Sequence, residues 1–198
     1  MPDRLTLGFD TSAAHCAAAL LRGDRVLVQR REEMTKGQAE RLMPLLEEVL
    51  ADAGVTWRDI DVIGVGTGPG NFTGVRIAVA AARGLALSLK IPAIGISATE
   101  AAAHDVPRPC RIVIPTRGDE VIWQDFTAED SEGGRPQQAA TGALPPGPAP
   151  AAPAVPTAVA IAHLAAARAD IPAPRPAPLY MRPADAAPAR DAPPVILP

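Results

Sequence analysis

The sequence predicts an α/β fold, and three observations carry that prediction. Short stretches near the start, separated by turn residues, read as strands, two later stretches carry helical spacing, and a glycine-rich turn, GVGTGPGNFTG, opens directly onto an apolar helix. Residues 5–10, 17–21 and 25–31 read as three strands of an antiparallel meander joined by TSAAH and RGD turns. A helix follows. Thr35 and Gln38 have the spacing of a capping box. Leu42, Met43, Leu45, Leu46, Val49, Leu50 and Ala53 then gather on one side, and Glu40, Arg41, Glu47, Glu48 and Asp52 on the other. Pro44 is expected to bend or delay this helix. Residues 61–66 read as a buried strand, 75–89 as a second helix and 93–96 as a further strand, so the order is βββαβαβ.

The second half is specified more loosely. Of 23 prolines only Pro2, Pro44, Pro69 and Pro92 precede residue 107, which places the change of character at residues 101–106. Residues 111–114 and 120–126 are expected strands, with SEGGRP from Ser131 as the turn after the second. Residues 143–156 form a proline and alanine tract expected to be an extended linker, and residues 157–169 a helix. IPAPRPAP then leads in extended form to LYMR. The predicted division is a first lobe at 1–103, a reduced Pro/Ala-rich second lobe at 104–183 and a disordered tail at 184–198.

Composition excludes several functions. A net charge of −3 in 198 residues is not the basic footprint of a protein that holds nucleic acid by itself. Cys16 and Cys110 lie far apart with no CxxC, and the polar start MPDRLTLGFD lacks the apolar length of a signal peptide, so a reducing cytoplasm is expected. Arg76, Arg83 and Lys90 interrupt the longest apolar stretch, so no membrane span is expected. The glycine turn suggests a phosphate cradle, yet neither GxGxxG nor GxxxxGK[ST] fits it, which removes the Rossmann and P-loop readings. No GxSxG supports an acyl-transfer nucleophile. His15, His104 and His163 are scattered singly and read as solvated or capping side chains, so no metal site is expected.

Two groups of residues remain as candidates. Asp10, Thr11 and Ser12 end the first strand, where a carboxylate and hydroxyls could position a metal or phosphate. The simpler reading is an Asx or Ser/Thr turn, and Gly68 and Gly70 belong to the same candidate nucleotide site or turn. The second helix carries Arg76, Arg83 and Lys90 as one narrow stripe and is apolar around nearly all the rest. One sheet face cannot cover that surface, so a partner is expected on a second side. The expected interface is Leu42, Leu46 and Val49 of the first helix with Ile77, Ala78, Ala81, Ala82 and Leu85 of the second.

LGFDTSAAHCAAALL, GQAERLMPLLEEVLADAG and IDVIGVGTGPGNFTGVRIAVAAARGLALSLKIPAIGISATEAAA closely resemble the bacterial TsaB (YeaZ) family of tRNA threonylcarbamoyladenosine biosynthesis subunits. PLYMR at residues 178–182 is similar to the family's C-terminal PxYxR signature. The resemblance implies an actin-like, RNase H-like fold and a role without chemistry of its own. In that role the chain would dimerise with the catalytic subunit TsaD and work with the ATPase TsaE. TsaD transfers threonylcarbamoyl to N6 of adenosine 37 in tRNAs reading codons that begin with A. The resemblance also implies tRNA contact only through the complex and no cofactor of its own; a homodimer and a monomer both stay open for the chain alone, and a nucleotide at the shared interface is a candidate ligand. The HxxxH metal motif of TsaD-like proteins falls on Ala98 and Ala102, which offer a metal no lone pair. Three departures stand out. Gln38 replaces a frequent histidine, Pro115 and Thr116 replace Asp-Ala, and residues 143–156 replace ordered second-half structure. The competing readings are an actin-like ATP-dependent phosphotransferase, a metallopeptidase-like enzyme, and a module that docks an acetyltransferase.

Overall fold

A computed structural model describes residues 3–116, 118–128 and 134–181. The chain runs β1 (Leu5–Asp10), β2 (His15–Arg22), β3 (Arg25–Glu33), α1 (Gln38–Asp52), a single 3₁₀ turn (Trp57–Asp59), β4 (Val62–Gly66), α2 (Phe72–Leu89) and β5 (Ala93–Ile96). It continues with α3 (Ala98–Ala103), β6 (Cys110–Pro115), β7 (Glu120–Phe126), β8 (Gln137–Ala140) and α4 (Thr157–Arg168). The first half is the predicted βββαβαβ. Its sheet has the order β3-β2-β1-β4-β5, antiparallel across the meander and parallel from β1 through β4 to β5. A second sheet, β6-β7-β8, is antiparallel.

Strand alternation decides the layers. Leu5, Leu7 and Phe9 of β1 point to one face, where they are buried with Leu42, Leu45, Leu46 and Val49 of α1 and Val75, Ala78, Val79 and Ala82 of α2. Thr6, Gly8 and Asp10 point to the other face, which α4 covers. A Cβ on Gly8 would lie 2.5 Å from the Ala158 carbonyl and 2.7 Å from the Ala162 nitrogen, so the missing side chain is what lets α4 lie against the sheet. Sequence position and spatial layer part company here, because α4 follows the second sheet in the chain yet packs on the first.

Several expectations need correction. No capping box starts α1: its cap is Gly37 at φ +89°, with no side-chain bond, and Gln38 instead donates its amide to the Met34 carbonyl at 3.1 Å. Pro44 neither delays nor ends the helix. α2 begins three residues before the predicted start, because Asn71 Oδ1 accepts from the nitrogens of Thr73 and Gly74 and caps it there. α3 and β8 had no predicted counterpart. α3 is held by a reciprocal box of Ser97 and Glu100, and β8 is a polar strand whose pairing with β7 no alternation announces.

The tract at 143–156 is extended, as expected, but it is tied down. Arg111 of β6 pairs with Asp125 of β7 through Nε at 2.5 Å and Nη2 at 2.7 Å, lies over the Trp123 ring and donates Nη1 to the Pro145 carbonyl at 2.6 Å. Ala151 N donates to the Arg111 carbonyl, and Pro150 bridges the same residue. The expected tail at 184–198, Arg182, and the start of the SEGGRP turn lie outside the described residues.

Candidate functional site

Parallel pairing of β1 with β4 brings two loops together at the carboxyl ends of these strands. Asp10 ends β1 and is 2% exposed. Its Oδ2 accepts from Ser12 N at 3.1 Å and Ser12 Oγ at 3.0 Å, an Asx turn, and contacts His15 Nε2 at 2.7 Å. His15 is therefore buried, 4% exposed, and the expectation of a solvated or capping histidine is wrong for it. The register sets Asp10 opposite Ala17, and His15, two residues nearer the turn, reaches the carboxylate through its side chain, a contact that spacing in the sequence does not announce. His104 and His163 are not isolated either, since their rings stack with centroids 5.4 Å apart.

The opposing loop follows β4. Asn71 N donates to the Ser12 carbonyl at 2.6 Å, and Thr11 Oγ donates to the Gly74 carbonyl at 2.7 Å. The close approach opened by Gly74 is taken by the Thr11 carbonyl, which a Cβ there would strike, and Gly70 likewise faces the Ser12 carbonyl. Gly68, at φ +83°, gives its carbonyl to Ala98 N at 2.7 Å. The glycine turn thus grips the β1–β2 turn of its own chain. The α2 N–H groups that a phosphate would use are turned to Asn71, and the arrangement of Asp10, Thr11, Ser12, Gly68 and Gly70 is that of a locked loop junction.

Residues at the former metal motif have other work. Ala98 opens α3 with its N–H on Gly68, and Ala102 packs against the cluster of Ala103, Cys110, Ile112 and Phe126. Among the described residues, no three His, Cys, Asp or Glu side chains gather in a metal-binding set.

The predicted interface is only partly on the surface. Leu42, Leu46, Val49, Ala78 and Ala82 are at most 1% exposed and belong to the core of this chain, so they are corrected from partner contacts to core residues. A helix apolar on all sides does not announce which side the sheet takes. Ile77, Ala81 and Leu85 sit half-buried at the margin. The outer face consists of Phe72, Arg76, Ala80, Arg83, Gly84, Leu87 and Lys90, with Phe72 48% and Leu87 79% exposed. α2 has the length and hydropathy to cross a membrane, contrary to the reading that its cations interrupt it. In this fold, however, Val75, Ala78, Val79 and Ala82 hold it under the sheet.

The C-terminal segment reaches this helix. Leu179 N donates to the Thr67 carbonyl at 2.8 Å, and the Tyr180 ring lies 5.2 Å from that of Phe72. The Arg76 guanidinium sits 3.7 Å above the Phe72 ring and donates Nε–H to the Tyr180 hydroxyl. Tyr180 is held on α2 in this way although it stays 42% exposed.

A mixed five-stranded sheet continuing an antiparallel meander into parallel strands, with helices on both faces, defines an actin-like, RNase H-like α/β protein. The family model for TsaD, tRNA N6-adenosine threonylcarbamoyltransferase, matches residues 31–143. The tRNA threonylcarbamoyladenosine biosynthesis protein TsaB of Escherichia coli (strain K12) is 32% identical over 130 residues, 63% of this chain and 56% of that protein. TsaB of Haemophilus influenzae is 36% identical over 135 residues, 65% of this chain and 56% of its own. The solved structure of YeaZ from Pseudomonas aeruginosa superposes with a TM-score of 0.70 at 27% identity, covering 89% of this chain and 99% of that one. This chain belongs to the TsaB (YeaZ) family, within the wider group described by the TsaD model. It spans a little over half the length of the curated TsaB proteins it matches.

Proposed function

We propose that this chain is a non-catalytic subunit that pairs with a TsaD-type subunit in threonylcarbamoyl transfer to N6 of adenosine 37 of tRNA, and that it works with the ATPase TsaE. The names of its TsaB relatives support the pathway. The observation that carries the subunit role is the locked junction. Oδ2 of Asp10 is engaged by Ser12 and His15, the α2 start is capped by Asn71, and the two loops are bonded to each other, so the chain's own atoms fill the junction at the ends of β1 and β4. That geometry argues against the phosphotransferase alternative, and alanines at 98 and 102 argue against the metallopeptidase one.

The outer face of α2 is the docking surface in this reading. It carries two large exposed apolar side chains and, around Gly84, a shallow strip with nothing within 4 Å of a Cβ. The same face would serve a homodimer when TsaD is absent, and any nucleotide would lodge at the shared interface instead of in the locked junction. tRNA is reached only through the complex, which is cytoplasmic.

The test is reconstitution. Purified alone, the chain should modify no tRNA and turn over no ATP. Added to TsaD and TsaE, with threonylcarbamoyl-AMP as donor, it should restore modified adenosine detected by nucleoside mass spectrometry. Robust activity of the chain alone, abolished by Asp10→Asn, would overturn this reading.

A further inference from the structure

α1 and α2 lie on one face of the larger sheet and run in the same direction, because each returns from one strand to another parallel to it. Their starts lie at the same end of the sheet, beside the β1–β2 turn. Met34 N donates to the Ala14 carbonyl just ahead of α1, and Asn71 N to the Ser12 carbonyl just ahead of α2.

Charge is divided between the exposed faces of these helices. α1 turns Glu40 and Glu47 outward, whereas α2 turns Arg76, Arg83 and Lys90 outward and contains no acidic residue. All five are exposed, and among the described residues none of them has an ion-pair partner. Arg76 donates to the Tyr180 hydroxyl and lies on the Phe72 ring, neither of them a carboxylate. The charges of α1 that face β3 are answered instead, Arg41 by Glu32 and Glu48 and Asp52 by Arg30. Within each outward row the spacing is seven residues, roughly 10 Å along the helix. Glu40 and Glu47 are the third and tenth residues of α1, and Arg76 and Arg83 the fifth and twelfth of α2, so the two rows stand at nearly the same height.

A surface of this kind selects one arrangement with a copy of itself. A two-fold axis across the helices sets α2 against α2 and α1 against α1, cations on cations and carboxylates on carboxylates. An axis along the helices sets α1 of each copy against α2 of the other, so that Glu40 faces Arg76 and Glu47 faces Arg83, twice over. The same contact covers the exposed apolar surface of Pro44 and Ala51 on α1 and of Ala80 and Leu87 on α2, where Leu87 is 79% exposed. We infer that this chain pairs with a second copy of itself through α1 of one against α2 of the other, in the register set by Glu47 and Arg83. The inference rests on the outer face of α2 being a docking surface, and it adds α1 as the other half of the contact.

Sedimentation velocity and native mass spectrometry on the full chain, from micromolar to millimolar concentration, test this. The parent is expected to form a concentration-dependent dimer. Glu47→Arg and Arg83→Glu each set like charges against one another in both halves of the contact, and each is expected to weaken self-association at least about tenfold. Mixed in equal amounts, the two variants meet with opposite charges in both halves again, and a mixed dimer is expected at about the strength of the parent. Both positions are exposed, so the melting curves should stay near that of the parent. Arg25→Gln, at the exposed start of β3, should leave self-association unchanged. A parent that stays monomeric, a dimer indifferent to both variants, or a mixture that associates no better than its components would overturn the inference. The docking face itself is read separately through TsaD: loss of TsaD co-elution by Gly84→Arg together with an unrecovered mixture would keep that face and remove the second copy from it.

Discussion

The Arg76 Nε–H donates to the Tyr180 hydroxyl at 2.7 Å, tying the second turn of α2 to a segment 104 residues further along the chain. Phe72 completes the contact, with its ring 3.7 Å from the guanidinium and 5.2 Å from the Tyr180 ring. Residues 179 and 180 therefore lie against the helix whose outer face is the proposed docking surface.

Loss of this clasp should be measurable but modest, because Tyr180 remains 42% exposed. A chain ending at Ala177 also loses the bond from Leu179 N to Thr67. Relative to one ending at Arg182, it is expected to lose about 1–2 kcal/mol, a few degrees in Tm. Tyr180→Phe isolates the hydroxyl and should cost no more than about 1 kcal/mol. Equal melting temperatures for the two truncations would show that the contact contributes nothing.

Substitutions on the two sides of α2 should separate folding from association. Ala82 is fully buried, so Ala82→Arg overpacks the core and buries an unpaired charge, at several kcal/mol, and should yield little folded protein. Gly84 is exposed with open space around it, so Gly84→Arg should leave the melting curve near that of the parent while abolishing co-elution with TsaD. Gly84→Ala should stabilise the isolated chain by up to about 1 kcal/mol, as expected where a helical glycine gains a methyl without strain. Normal TsaD binding by Gly84→Arg would move the interface elsewhere.

Arg111 fastens the Pro/Ala tract, and its removal should release it. Arg111→Met leaves Asp125 without its bidentate partner and the Pro145 carbonyl without its donor. Because Asp125 is about a third exposed, water offsets part of the loss, and a cost of about 2 kcal/mol is expected. Hydrogen exchange should rise at residues 143–156 before it rises in β1 or β4.

Acid should loosen the α3–α4 seam. Burial is the main cause holding the His104 pKa below its usual value, with a smaller downward push from His163 and an upward pull from Asp105. Glu100 of α3, Arg168 of α4 and Arg108 also face this region. A histidine with a depressed folded pKa binds fewer protons folded than unfolded, so stability rises with pH between the folded pKa and about 6.5 and falls as pH drops through that window. Thermal melts between pH 8 and pH 5 should show this decline, and His104→Gln should flatten it. An unchanged slope in the variant would place the acid sensitivity at other groups.

Much of the first lobe was legible because its signals are local. Strand alternation in β1, the spacing of α1 and the position of the glycine turn depend on residues near one another in the chain, and their order is that of the folded lobe. The quoted motifs carried the family in the same way. Local signal also separated the two halves, since proline at 143–156 forbids regular pairing wherever that tract lies.

Tertiary structure alone decided which face of each element is covered. The sheet takes Ala78 and Ala82 and leaves Ala80 and Gly84 outside, a choice that near-uniform apolarity around α2 cannot encode. It also turned Asp10, Thr11, Ser12, Gly68 and Gly70 from a candidate nucleotide site or turn into a locked junction, because Ser12 and Asn71, 59 residues apart, meet only when β1 and β4 pair. The physical reason is the same for both. Hydrogen-bonding groups and apolar surfaces are properties of single residues, whereas their satisfaction depends on what the rest of the chain brings within reach.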